Sequence, residues 1–197
     1  MATSTESTKT TRQRVPAAQR RDALIEAAVH EFAVGGLHGT PVDRIARRVG
    51  VAQPYVFSLF GSKRDLFLAA VERCFEQVAD LFTRAAAEYD PVLALPEADV
   101  LKAMGNAYVK MLETDRDRLM LQHQAYAACD DEIIRERVRH GYAQLVAHVQ
   151  RLSGADQDGI DDFFRYGAWL NIAAAMGVGD LSVGCEWIRA EQAAGDV

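Results

Sequence analysis

The chain has 197 residues, 49% hydrophobic and 25% charged, a composition ordinary for a soluble globular protein, and long enough for one large domain or a small one attached to a larger one. Its formal net charge of −6 is unevenly divided: residues 1–65 hold ten Lys/Arg against six Asp/Glu, +4, leaving −10 for the rest. A basic head on an acidic body suits a nucleic-acid reader that carries a second unit.

In chain order, residues 1–15 are polar and lack the apolar core of a signal peptide. They are expected to form a flexible basic arm, with Lys9, Arg12 and Arg14 either reaching phosphates or a minor groove, or simply solvated. A first helix is predicted from about Pro16 to Val34. Its core stripe is Leu24, Ala28 and Phe32 with Ile25 and Val29, and Gly35-Gly36 end it. Arg20 and Arg21 oppose the dipole of its first turns and face either an anion or solvent.

Thr40 is predicted to cap the next helix, with Pro41 at its first position and Asp43 closing a capping box. Val42, Ile45, Ala46 and Val49 give that helix one apolar face, and Gly50 supplies a left-handed stop. A second short helix tolerates Pro54 in its first turn and turns Val56 and Phe60 inward. Gly61 stops it, and Ser62 with Asp65 opens a longer helix through another capping box. Two short helices about a tight glycine turn form a helix-turn-helix, whose second helix enters a DNA major groove by its N-terminus. Gln53, Pro54 and Tyr55 stand there, with Ser58 one turn on. A Gln amide can pair in bidentate fashion with adenine, and Pro and Tyr offer apolar contact to thymine methyls. Lys63, at the start of the following helix, can hold a phosphate.

Gly36 with Thr40, Val42, Ile45-Ala46, Gly50-Val51, Gln53-Pro54, Val56-Phe57, Phe60 and Ser62-Lys63 resemble, as a set, the DNA-binding region of the TetR family of bacterial transcriptional regulators. The resemblance covers about a third of the chain. It implies that Thr40 and Lys63 hold phosphates while Gln53, Pro54 and Tyr55 meet bases; Arg44, Phe57 and Ser58 complete the expected contact set. Ala52, Phe57 and Leu59 depart from the commonest Ser, Tyr and His, and each removes a polar group that could meet a phosphate.

From Ser62 to about Tyr89 one long helix joins head and body, its stripe running through Phe67, Val71, Phe75, Val78, Phe82 and Ala85. Asp90-Pro91 ends it, and helices follow at roughly 97–114, 116–128, 131–152, 157–178 and 180–193. Met104, Tyr108, Met111, Met120, His123, Gln124 and Tyr126 are either core or the adaptable, sparsely polar lining of a small-molecule pocket. The family resemblance favours the pocket. The helix at 157–178 is apolar nearly all round, so it is buried either within one domain or by a second copy. Phe164, Ala168, Trp169, Ile172, Ala175 and Met176 are its expected dimer residues, and the helix at 180–193 is expected to share the interface. Its mostly apolar run, Ala168 to Val178, is too short to span a bilayer and contains Asn171.

Cys74, Cys129 and Cys185 are odd in number and too far apart for a zinc site, and read as buried thiols or redox sensors. There is no HExxH, Gly-rich phosphate loop or nucleophile elbow, so no cofactor, metal or catalytic residue is expected. The expected fold is all-α: an arm at 1–15, a three-helix DNA-binding head at 16–65, and a ligand-binding and dimerisation body at 66–197. The expected function is a cytoplasmic homodimeric repressor that binds a palindromic operator in double-stranded DNA and is released by a small apolar or aromatic effector. The alternatives are a ligand-binding or interaction module with weakened DNA affinity, and an all-helical small-molecule enzyme.

Overall fold

The computed structural model describes residues 16–90, 99–178 and 181, and among these the regular structure is helical, with no strand. The helices are α1 (Ala17–Gly39), α2 (Val42–Val49), α3 (Gln53–Phe60), α4 (Lys63–Glu88), α5 (Val100–Thr114), α6 (Arg116–Ala127), α7 (Glu132–Ser153) and α8 (Gln157–Ala175). The arm at 1–15 and the helix expected at 180–193 lie outside the described residues, apart from Leu181.

Local chemistry sets these boundaries. From α4 onward each helix begins at a Ser or Asp whose side chain accepts an amide of the first turn: Ser62, Asp99, Asp115, Asp131 and Asp156. Asp115 also ends α5, donating its amide to Met111, so α5 and α6 join without a linker. Gly50 closes α2 in the left-handed conformation, φ 71° and ψ 34°, with its amide on Arg47 and that of Val51 on Ala46. α1 breaks where expected, at Gly36, which takes φ 62° and ψ −177°.

One expectation fails at the start of α2. Thr40 forms no capping box: Pro41 takes the cap position, and the Thr40 hydroxyl donates to the Glu31 carbonyl of α1 at 3.0 Å. Thr40 is 1% exposed, and an inward hydroxyl must find an acceptor in the core. Gly35 makes room for it, since a Cβ there would lie 2.6 Å from the Thr40 hydroxyl oxygen.

Two apolar cores run along α4. The first joins Leu24, Phe32, Ile45 and Val56 of the head to Leu66, Phe67 and Val71, and takes in Leu121 and Ala125 of α6 and Ile134 of α7. The second gathers Val78 and Phe82 with Met104, Met111, Leu119, Leu145, Val149, Ile160 and Leu170. The head therefore rests on the body through α1 packed along α6 and α4. Polar ties reinforce it: His30 Nδ1 lies 2.6 Å from Asp117, Arg64 pairs with Asp131 at 3.2 Å, and Arg73 reaches Asp22 and Glu26 on α1.

Candidate DNA-reading head and ligand cavity

Gln53, Pro54, Phe57 and Ser58 are exposed on α3, while Tyr55 is half-buried against the first core. Arg20 places its guanidinium 6.0 Å from the Tyr55 ring centre, and Arg21 lies 5.0 Å from that of Phe60. These two arginines of α1 thus brace the back of the reading helix. Ser58 donates to the Tyr55 carbonyl at 2.7 Å, and Lys63 donates to the His38 carbonyl at 3.1 Å. Partial burial lowers the Lys63 pKa from its ordinary value.

Arg44 and Arg48 of α2 converge on Glu31, a carboxylate only 6% exposed in α1, at 3.6 and 3.0 Å. Arg47 pairs with Asp43 at 2.9 Å. Arg44 is thereby a strut between α1 and α2 as well as a candidate contact. Thr40, facing inward, offers no hydroxyl to a phosphate.

Below the head, α4, α5, α6, α7 and α8 surround a cavity of about 420 Å³. Among the described residues eight aromatic side chains line it: Phe75, Phe82, Tyr108, Tyr126, Tyr142, Phe163, Phe164 and Tyr166. Five of these rings touch in series, Tyr108 to Phe82 to Phe163 to Phe164 to Tyr142, with centres 5.4–5.9 Å apart. No Asp, Glu, Lys or Arg is among the described lining residues. Cys74 borders it too, and burial pushes that thiol up to about 12, which keeps it protonated and inert. α7 comes close enough to α4 here that a Cβ at Gly141 would sit 2.7 Å from the Phe75 ring.

Of the residues expected to bind a ligand, Tyr108, His123 and Tyr126 border this cavity. Met104 and Met111 are buried in the second core, Met120 packs between the two cores, and Gln124 turns to the head, against Gly36. Of the expected dimer residues, Phe164, Ala168 and Ile172 also border the cavity, Trp169 packs against the second core, Ala175 is half-buried, and Met176 is 58% exposed.

Two polar residues escaped the sequence reading. Tyr108 donates its hydroxyl to Gln122 Oε1 at 3.0 Å and accepts from Asn171 Nδ2 at 2.6 Å; Asn171 Nδ2 also donates to Gln122 Oε1 at 3.1 Å. Burial raises the Tyr108 pKa far above its ordinary value, so the phenol stays neutral and able to donate. Asn171 is 6% exposed, and its Oδ1 has no partner among the described residues. A buried acceptor left in that state costs about 1–3 kcal/mol. The signal in the sequence was Asn171 itself, an amide interrupting an apolar run.

Residues 24–70, the helix-turn-helix and its flanks, match the family model of bacterial regulatory proteins, tetR family. The DNA-binding region of the chain is thus similar to that of the TetR family. A stretch of 60 residues, 30% of the chain, is 40% identical to the HTH-type transcriptional activator FasR of Mycolicibacterium smegmatis, and covers 27% of that protein. A TetR-like transcriptional regulator from a Rhodococcus species superposes with TM-score 0.63 over 85% of this chain and 90% of its own, at 22% identity. FadR of Bacillus subtilis, solved in complex with stearoyl-CoA, gives TM-score 0.65 over 83% and 92%, at 14% identity. At such identities the likeness of these structures to the chain is one of fold. Over the body, the resemblance is in helix arrangement and not in residues.

Proposed function

We propose that the chain is a DNA-binding transcriptional regulator, a repressor that grips a palindromic operator as a homodimer and lets go when a small molecule fills the cavity of its body. The observation that supports this best is the double role of α6. His123 and Tyr126 border the cavity, while Gln124, between them in sequence, meets α1 of the reading head. A molecule wedged against α6 and α4 acts on the head only through different affinities for two arrangements of these helices.

In this reading Gln53, Pro54, Tyr55 and Phe57 meet bases, and Ser58, Lys63 and Arg44 steady the phosphates; the 16–65 head reads and the 66–197 body senses and dimerises. The reading assigns no catalytic role and no cofactor, and places the protein with the chromosome in the cytoplasm. No described helix is long and apolar enough to cross a membrane.

The test begins by selecting bound duplexes from a random DNA pool. Operator affinity is then measured with and without a ligand found by thermal-shift screening. The ligand should weaken binding by about 5–150-fold, and DNA should weaken the ligand by the same factor. Tyr126→Ala, at a side chain that borders the cavity and is 42% exposed, should abolish that response and leave operator affinity alone. A tightly bound ligand that leaves operator affinity unchanged would end the release mechanism. Absence of steep salt dependence on any duplex would instead favour a module without DNA affinity, the reading that Ala52, Phe57 and the inward Thr40 hydroxyl support.

A further inference from the structure

The polar corner of the cavity is ordered by one carbonyl. Gln122 lies with its Nε2 toward the Arg118 carbonyl oxygen, at 3.5 Å, and a carbonyl oxygen can only accept. Gln122 must therefore present Oε1 to Tyr108 and Asn171, and Asn171 must answer with Nδ2. Both N–H groups of Asn171 are spent in this way, on the Tyr108 oxygen and on Gln122 Oε1. Its Oδ1, on the other side of the amide, is left without a donor among the described residues and is closed to solvent, so a ligand's donor meets it by a small turn of the amide toward the cavity. The neighbouring donors are committed elsewhere: the Tyr108 hydroxyl to Gln122, and His123 Nε2 to the Asn171 backbone oxygen at 3.2 Å. The described lining residues offer neither a carboxylate for a cation nor a guanidinium or ammonium for an anion.

We propose that the molecule taken by this cavity is uncharged, apolar over most of its surface, and carries a hydroxyl or N–H that donates to Asn171 Oδ1. The inference rests on the effector reading above and narrows it to a chemical class. Apolar surface meets the aromatic rings, and the single donor fixes orientation and discriminates against analogues that lack it. A buried acceptor rejects the wrong analogue more strongly than a hydrophobic wall does, because the analogue leaves it unpaired.

The experiment uses the full-length protein and calorimetric titration with five probes that share one apolar body. They are 4-hexylphenol, hexylbenzene, 4-hexylanisole, 4-hexylbenzoate and 4-hexylbenzylammonium. Hexylbenzene and the anisole lack the donor and bracket the phenol in size, so a steric effect cannot favour the phenol over both. The phenol should bind about tenfold more tightly than either, and about tenfold or more above the two charged probes. Asn171→Leu, close in size, should bring the phenol-to-hexylbenzene ratio near one. Tyr108→Phe, which keeps Asn171 Oδ1, should preserve it; the wild-type series stands even if a variant fails to fold. Phenol, hexylbenzene and anisole bound alike would overturn the donor assignment, as a resident water satisfying Oδ1 would produce, while leaving ligand sensing intact. A ratio that survives Asn171→Leu would also overturn it. Failure of all five probes to bind would overturn the cavity reading itself.

Discussion

Glu31 shows how far the work of a single residue lies from its sequence neighbourhood. It is a charged residue in an apolar stripe, and it holds Arg44 and Arg48 of α2 from a nearly buried position on α1. Hydrogen bonds to a charged group contribute about 1.5–3 kcal/mol, less where the partners are half in water as these arginines are. The basic face of α2 is thus partly neutralised from within, which in the function proposed above leaves discrimination to the N-terminus of α3. Gln53→Ala should cost about 1–3 kcal/mol at one base position and relax preference there. Lys63→Ala should weaken every sequence alike and flatten the salt dependence by about one unit. Affinities on single-base operator variants across a salt series separate the two, and a uniform loss from Gln53→Ala would remove its base-reading role. The exposed position of Gln53 was legible because it is a polar residue that opens a short helix. Thr40 was not, since the same hydroxyl can cap the following helix or turn back to the preceding one, and only packing decides.

At the scale of elements, the boundaries of α2, α3 and α4 were readable because Gly50, Gly61 and the Ser62–Asp65 pair act within a few residues. The faces of α6 were not. That helix lies between head and cavity and carries polar residues on both sides, so its periodicity does not say which neighbour each face meets; Gln122, not Gln124, joins the cavity. The mistake exposes a second path from body to head. The long α4 helix runs past the cavity into the head, but Gly36 of α1 also takes the Gln124 side chain directly, since a Cβ there would lie 2.5 Å from Gln124 Oε1. Gly36→Ala adds that clash to a backbone conformation essentially reserved for glycine, worth about 1–3 kcal/mol of strain. Gln124→Ala is the gentler probe. It should leave ligand and operator affinities each within about threefold while reducing the ligand-induced loss of operator affinity by at least about 1 kcal/mol of coupling. An unchanged coupling would assign transmission to α4 alone.

Across the whole molecule, charge and exposed surface point in opposite directions along one axis. Residues 1–65 carry +4 and the rest −10, and α8 leaves Tyr166 and Ile172 49% exposed, with Met176 at its C-cap 58% exposed. An apolar face of that kind marks a contact surface; in the homodimer proposed above a second copy covers it, because a palindromic operator would need two heads about 34–36 Å apart. The sequence showed that this helix has too much apolar surface for one neighbour, but could not divide it: Phe164, Ala168 and Ile172 border the cavity, whereas Met176 does not. Met176→Arg is therefore the cleaner probe, and Ile172→Arg its companion. In a lone chain either arginine reaches water from an exposed position and the fold should survive. In a dimer it buries an unpaired charge, a cost of about 3–5 kcal/mol at a fully desolvated site. Sedimentation at micromolar concentration should give a folded species of half the wild-type mass, with the helical circular dichroism retained. Operator affinity should fall steeply, because one head makes half the phosphate and base contacts. A wild-type chain that sediments as a monomer would overturn the homodimer, and a Met176→Arg variant that stays dimeric would place the partner surface elsewhere than α8.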